Sequence, residues 1–397
     1  MKPRDGPLCD VRVLDLSRVI AGPYIGRVFA DLGADVIKVE PPGGDEVRQI
    51  APKHDRGMSG LLTFANVGKR SLCVDLRQSA GVELVLDLAS QCDVVLENFR
   101  PGVLERLGLG WEVMHSRNPR TVLLSLNGFG RDSVWSDRRA YAPIVHAVTG
   151  ILDDQAAFAN QPVAQHKDAH ADTVAALHAA VAVLAALRAV ARGEPGQWVE
   201  VPMFDAVLAT YNITANELLE PPDDRVMNPI YDAGSHGAIA TAGSVQHVWA
   251  LIAAAHDDLE DPTPVGADIR TKARLRHQAL EGWMAAHESR EALLARLAEA
   301  GIACAPVATL REAMTGELAQ ERDLLSWVDD RRGGTRPVVK PPARFSASPN
   351  RVRGPAPQRG EHNEEVLREV LGYAPTRIRE LLEAGVLSAH EEDDTSD

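Results

Sequence analysis

The feature that most restricts the fold of this chain is the regular alternation of short apolar runs with amphipathic stretches through its first third. VRVLDLS (11–17) has the composition of a strand, YIGRVFADLGA (24–34) the period of a helix, and DVIKVE (35–40) again reads as a strand. SLCVDL (71–76), GVELVLDLASQ (81–91), CDVVLENF (92–99), PGVLERLGL (101–109) and TVLLSLNGFG (121–130) continue the pattern. Strands that are apolar throughout, separated by single helices, predict a parallel sheet covered on both faces, and hence an α/β fold.

Past a polar loop, the residues from Asp172 to Val190 are rich in Ala and Leu and predict the longest helix, buried on most sides. GQWVEVPMFDAVLA (196–209) reads as a strand entering a helix. The paired prolines and acids of LLEPPDDRVMNP (218–229) mark a linker, and a second stretch rich in proline and arginine follows Arg331. The expected organisation is a large domain beginning at 1–217, a linker and smaller α+β domain at 218–330, and a return linker with the rest of the large domain at 331–389. Residues 390–397, HEEDDTSD, predict a disordered acidic tail.

With 397 residues, 45% of them hydrophobic, the chain can build two cores. Its formal net charge of −14 gives no general attraction for nucleic acid or an anionic membrane, so any anionic ligand must be met by local Arg and Lys. Cys9, Cys73, Cys92 and Cys304 form no CxxC pair or disulfide-like framework, as suits a reducing cytosol. MKPRDGPLCD lacks a signal-peptide core, and the apolar run Ala175 to Leu187 is short for a membrane span. A cytoplasmic location without membrane contact is the expectation.

Several chemistries are disfavoured by local sequence. Glu40 ends the second strand where a ribose-binding acid could sit, but the preceding loop is AGPYIG (21–26), whose Pro23 and Tyr24 stand where a dinucleotide fingerprint needs glycine. No phosphate loop and no GxSxG elbow occurs. His166, His170 and Asp172 have a spacing that could hold a metal on a helix, yet Lys167 intervenes and His166 precedes the helix, so no metal is expected. Read locally, Asp172 is an N-cap for the Ala-rich helix. That role is compatible with nucleophilic chemistry, since a helix N-terminus favours the ionised carboxylate that attacks carbonyl carbon.

Taken together, VRVLDLSRVIAGPYIGRVFADLGADVIKVEPPGGD, GKRSLCVDLR, VVLENFRPGVLERLGLGW, DTVAALHAAVAVLAAL and EPGQWVEVPMFDA resemble the family III CoA transferases, a group that includes formyl-CoA and carnitine CoA-transferases and the related α-methylacyl-CoA racemases. APVATLREAM, PPARFSASP and RGPAPQRGEHNEEVL extend the resemblance toward the C-terminus. It implies a Rossmann-like large domain, a smaller domain on two linkers, and an interlocked homodimer. It implies no tightly bound cofactor, with CoA passing as substrate from an acyl-CoA donor to a carboxylic acid acceptor.

The family nucleophile is an Asp shortly before the long helix, and counting back from Ala185-Ala186-Leu187 places it at Asp172. By position in the family pattern, Arg18, Lys69, Arg70, Asn98, Phe99, Arg106, Leu107, Arg139 and Tyr141 are expected to line the CoA site. Tyr141 stands where the racemases carry a His, and phenol is a poor base near pH 7, which favours transfer over racemisation. His146, five residues on, reads as a hydrogen-bonded core histidine. Ile20 replaces a Gln of some transferases, Ala176 replaces a Gly, and DAGSHGAIATAG (232–243) is only a partial counterpart of the family's Gly-rich loop. An acyl-CoA racemase or an inactive CoA-binding homologue are the alternatives that the resemblance leaves.

Overall fold

The computed structural model describes residues 5–50, 58–211, 218, 229–331 and 333–388. The chain divides into two compact units, one of residues 1–214 and 325–397 and one of 215–324. The expected acidic tail at 390–397 lies outside the described residues, as does most of the linker at 218–229.

The larger unit runs β1 (Arg12–Asp15), α1 (Ala21–Asp31), β2 (Asp35–Glu40), α2 (Gly60–Asn66), β3 (Arg70–Cys73), α3 (Ser79–Ser90), β4 (Val94–Glu97), α4 (Val103–Arg106), α5 (Trp111–Arg117) and β5 (Val122–Asn127). It continues through α6 (Ala142–Val148), α7 (Ile151–Ala159), α8 (His170–Ala191), β6 (Trp198–Pro202) and α9 (Met203–Thr210). The smaller unit holds β7 (Ile230–Asp232), β8 (Ala238–Thr241), α10 (Val245–Ala255), α11 (Ile269–Ala285), α12 (Arg290–Glu299), β9 (Cys304–Pro306), α13 (Leu310–Thr315) and α14 (Glu317–Glu321). The chain then returns to the larger unit with β10 (Leu325–Asp329), β11 (Thr335–Val339), α15 (Asn363–Leu371) and α16 (Pro375–Glu383).

β1 to β6 form one sheet in the order β3-β2-β1-β4-β5-β6, and every neighbouring pair is parallel. This is the doubly wound order, in which strand succession reverses between β1 and β4 and opens a crevice at their carboxyl ends. Successive side chains of β5 serve opposite cores: Val122, Leu124 and Leu126 join α1 and α8, while Leu123 joins α3, α15 and α16. Burying each such side chain contributes about 1.5–3 kcal/mol, so both faces must be covered. The smaller unit has its own core around Tyr231, Val248, Trp283, Leu293 and Leu297, beside the antiparallel sheet β7-β8-β9.

The Ala-rich helix is longer than its sequence pattern indicated. α8 has 22 residues and is long and apolar enough by composition to cross a membrane. Its buried stripe of Ala171, Ala175, Ala179, Val183, Ala186 and Val190 packs in the core with α1 and the sheet. Small side chains at this spacing allow that close approach. A second stripe, Leu177, Val181 and Leu184, is exposed, with Val181 at 68%.

The C-terminal return covers the β3 edge. Asn363 Oδ1 accepts the Cys73 N–H at 2.8 Å, the Gly360 N–H donates to Ser71 Oγ at 2.9 Å, and Val74 bridges Leu387.

Candidate active site

The crevice between β1 and β4 is shaped by a buried charge network beneath the turn that leaves β1. Asp15 Oδ1 accepts the Ser17 N–H and the Ser17 hydroxyl, and its Oδ2 accepts Lys69 Nζ at 2.7 Å. Lys69 spends its other two N–H bonds on the Pro23 carbonyl and Asn66 Oδ1, at 2.7 and 2.9 Å. Lys38 Nζ donates to the Ser17 carbonyl at 2.9 Å and pairs with Asp45 at 2.8 Å, and Asp45 accepts the Val19 N–H.

Burial works to raise the Asp15 carboxyl, but Lys69 and Lys38 outweigh it and hold Asp15 below the usual carboxylate range. Burial lowers Lys69 to about 8 against the pull of Asp15. The network fixes Val19 at φ +67°, a left-handed conformation that is strained for a β-branched residue, and so sets where α1 begins.

Across the crevice, Asn98 ties the two loops together. Its Oδ1 accepts the Arg18 N–H and its Nδ2 donates to the Arg18 carbonyl, both at 2.7 Å. The Arg18 guanidinium lies over the Phe99 ring, 5.5 Å from its centre. Glu97 holds this loop from behind by accepting the Phe99 N–H at 2.7 Å. Burial pushes Glu97 up to about 7, against hydrogen bonds from Ser125 and Phe99. Glu200 similarly anchors the loop after β5, accepting from Asn127 Nδ2 at 2.5 Å and the Arg131 N–H at 2.8 Å.

The resulting cleft has a volume of about 410 Å³ and is lined by Arg18, Asn98, Phe99, Arg100, Arg138, Arg139, Tyr141 and Asp172, among others. Asp172 lies in the first turn of α8, where the cap residue is Ala169, so it is not the N-cap that its local sequence suggested. Its carboxylate is instead directed to backbone amides of three elements. Burial pushes it up to about 6, while hydrogen bonds from Ala21 at the start of α1, from its own N–H and from Ala142 at the start of α6 pull it down. A carboxylate at about 6 is ionised at neutral pH yet poorly solvated. His146 is fully buried on α6, and its Nε2 accepts the Ala171 N–H at 3.0 Å.

Of the residues expected at the CoA site, Arg18, Asn98, Phe99, Arg139 and Tyr141 share this cleft with Asp172. Four do not line it. Lys69 is in the buried network, its three N–H bonds engaged. Arg70 pairs with Asp35 at 2.6 Å and with Glu365 and Glu369, joining β2, β3 and α15. Arg106 is exposed near the end of α4, and Leu107 packs on the opposite core. Arg100 and Arg138, which do line the cleft, carry no local pattern that separates them from the chain's other arginines. No cluster of three or more His, Cys, Asp or Glu with metal-holding geometry occurs among the described residues.

The family model described as CoA-transferase family III matches residues 8–363. The chain is 32% identical to the succinyl-CoA–D-citramalate CoA-transferase of Chloroflexus aurantiacus, over 92% of this chain and 94% of that protein. It is 31% identical to the succinate–glutarate CoA-transferase of Agrobacterium fabrum, over 93% and 97%. Its fold resembles the crystal structure of a CAIB/BAIF family protein from Brucella suis at a TM-score of 0.77 and 28% identity, covering 92% of this chain and all of that one. The chain therefore belongs to CoA-transferase family III, enzymes that move CoA between acyl-CoA and carboxylic acids.

Proposed function

We propose that transfer proceeds through covalent intermediates on Asp172. Asp172 attacks the thioester carbonyl, the C–S bond breaks, and CoA leaves as the thiolate while the acyl group becomes a mixed anhydride with the aspartyl carboxyl. The thiolate then attacks the aspartyl carbonyl and expels the donor acid, leaving an aspartyl-CoA thioester. The acceptor carboxylate attacks that thioester to form a second anhydride and free thiolate. The thiolate takes the acceptor's acyl group and restores Asp172. No proton or water is consumed, and each step is an acyl transfer between good leaving groups.

The observation that carries this reading is the setting of Asp172: a half-buried carboxylate at about 6, lining an arginine-rich cleft and facing the amides of Ala21 and Ala142. Burial removes solvation from the nucleophile, and the same amides are placed to accept negative charge on the aspartyl oxygen when its carbonyl is attacked. Arg18, Arg100, Arg138 and Arg139 supply guanidinium groups suited to CoA phosphates, with Phe99 as an apolar surface beside Arg18.

The relatives named above act on succinyl-CoA or succinate, so a short dicarboxylic acyl-CoA is the first donor to try. The exposed Leu177, Val181 and Leu184 stripe supports a homodimer, which sedimentation should show at twice 42.9 kDa. The free cysteines accord with a reducing cytoplasm.

The test is hydroxylamine trapping. With succinyl-CoA present, Asp172 is expected to become a hydroxamate detectable in its peptide by mass, and Asp172→Ala is expected to lose both label and transfer. Full transfer by Asp172→Ala would sink the assignment, and α-deuterium exchange without an acceptor acid would favour a racemase.

A further inference from the structure

The N-terminus of α8 is held from outside its own sequence. Its cap residue, Ala169, makes no side-chain hydrogen bond, and the free Ala171 N–H is instead taken by the ring of His146. That ring sits on α6, whose first residue, Ala142, has its amide near enough to Asp172 to pull the carboxyl down. One imidazole therefore joins the two helices whose ends converge on the same carboxylate.

Because Nε2 receives an N–H, it must present its lone pair, and the ring proton must be on Nδ1. Nδ1 is buried with no hydrogen-bond partner among the described residues. A second proton would place two donors against each other 3.0 Å apart and bury an unpaired cation. The ring faces His166 and His170, with centres 5.3 and 6.3 Å away, and Asp168 acts on it from the same loop.

We infer that His146 is a positioning residue for Asp172, holding the α6 and α8 ends in register, and that it does so only as the neutral imidazole. Burial, followed by the like charges of His166 and His170, moves His146 below its ordinary 6.5 despite the opposing pull of Asp168, so the neutral form prevails at pH 7. The inference rests on the reading of Asp172 as nucleophile. Acidification then removes both the ionised Asp172 and the helix tie.

The experiment uses the full chain with succinyl-CoA and a dicarboxylate acceptor, comparing His146→Gln and His146→Ala with the unsubstituted enzyme. Gln offers an uncharged amide oxygen to the Ala171 N–H and cannot titrate. At pH 8, His146→Ala is expected to lose about tenfold in kcat with KM changed less than about twofold, while His146→Gln keeps its rate within about threefold. The acid limb of the rate profile should fall with two ionisations in the unsubstituted enzyme and with one in His146→Gln. Amide exchange at Ala171 should quicken in His146→Ala and not in His146→Gln. Absence of a hydroxamate on Asp172 in the unsubstituted enzyme would overturn the nucleophile and this role together. A normal hydroxamate there, with unchanged rate and acid limb in His146→Ala, would overturn the role of His146 alone, as would a Gln variant no better than Ala with an unaltered limb.

Discussion

As the proposed nucleophile, Asp172 sits where reactivity and stability oppose each other. Its folded value of about 6 lies above the ordinary 3.8, so the folded protein holds the proton more tightly than the unfolded chain does. Ionised Asp172 therefore costs stability above pH 6, and the cost disappears as pH falls to 3.8 and below. Asp172→Asn keeps an acceptor for the Ala21 and Ala142 amides while removing the charge. It should be more stable than the native enzyme by about 2 kcal/mol at pH 8 and equal to it near pH 3.5, by denaturant titration, while transfer is lost. Substitution of Lys69 has the opposite outcome: Lys69→Met leaves the Asp15 carboxylate buried beside an apolar group, and unfolding free energy should drop by about 3–5 kcal/mol. A ligand-binding lysine would show its loss in KM, so the two measurements separate the roles. The resemblance placed Lys69 and Arg70 with the ligand set because they fall in a matching motif, GKRSLCVDLR. Their burial comes from β2 and β3 pairing, which brings Asp35 to Arg70, and from α1 lying over β1, which brings Pro23 to Lys69. Neither neighbour is visible in local sequence.

Among the elements, α1 shows how a helix end is delivered to the cleft. A Cβ on Gly22 would lie 2.2 Å from Ser17 Cβ, and one on Gly26 would lie 2.9 Å from both Asp15 Oδ2 and Lys69 Nζ. The helix can rest on the charge network only because these positions lack side chains. Gly22→Ala should push the first turn of α1, and the Ala21 amide with it, away from Asp172. Activity is expected to fall by about a hundredfold, a displacement of the size that ångström-scale misplacement produces, with a lowered Tm as the accompanying sign. An Ala variant with full activity and native Tm would contradict this packing. Sequence periodicity puts the start of this helix at Tyr24, with AGPYIG as a loop, whereas the structure starts it at Ala21 with Pro23 in the first turn, where proline is tolerated. α8 was misjudged at the same end for a different reason. Asp172 has the chemistry of a cap, but the group that satisfies Ala171 comes from His146, 25 residues earlier. The strand and helix alternation was legible because each segment is long enough to show its period. Helix ends were not, since their partners are tertiary.

At the scale of the whole molecule, a chain of net charge −14 must receive a polyanionic substrate. The four cleft arginines, proposed to meet the CoA phosphates, act at contact range, where their attraction outweighs the repulsion from the more distant net charge. Raising ionic strength from 0.05 to 0.5 M, which shortens the screening length from roughly 14 to 4 Å, should weaken but not abolish the use of acyl-CoA. KM for acyl-CoA is expected to rise several-fold with kcat nearly constant, and Arg139→Ala should blunt that salt response; a salt-independent KM would remove the arginines from phosphate recognition. The cover over the β3 edge has another consequence, in the order of synthesis. A ribosome releases β3 early, but the Asn363 that pairs with it is 290 positions later in the chain. The intervening unit can close its own core around Trp283 and Leu293 while the sheet edge still waits for its partner. Nascent chains halted before Gly360 would thus carry a finished small unit together with an open parallel-sheet edge, the surface most prone to pairing with another chain, and closure of that edge falls to a segment translated after the small unit.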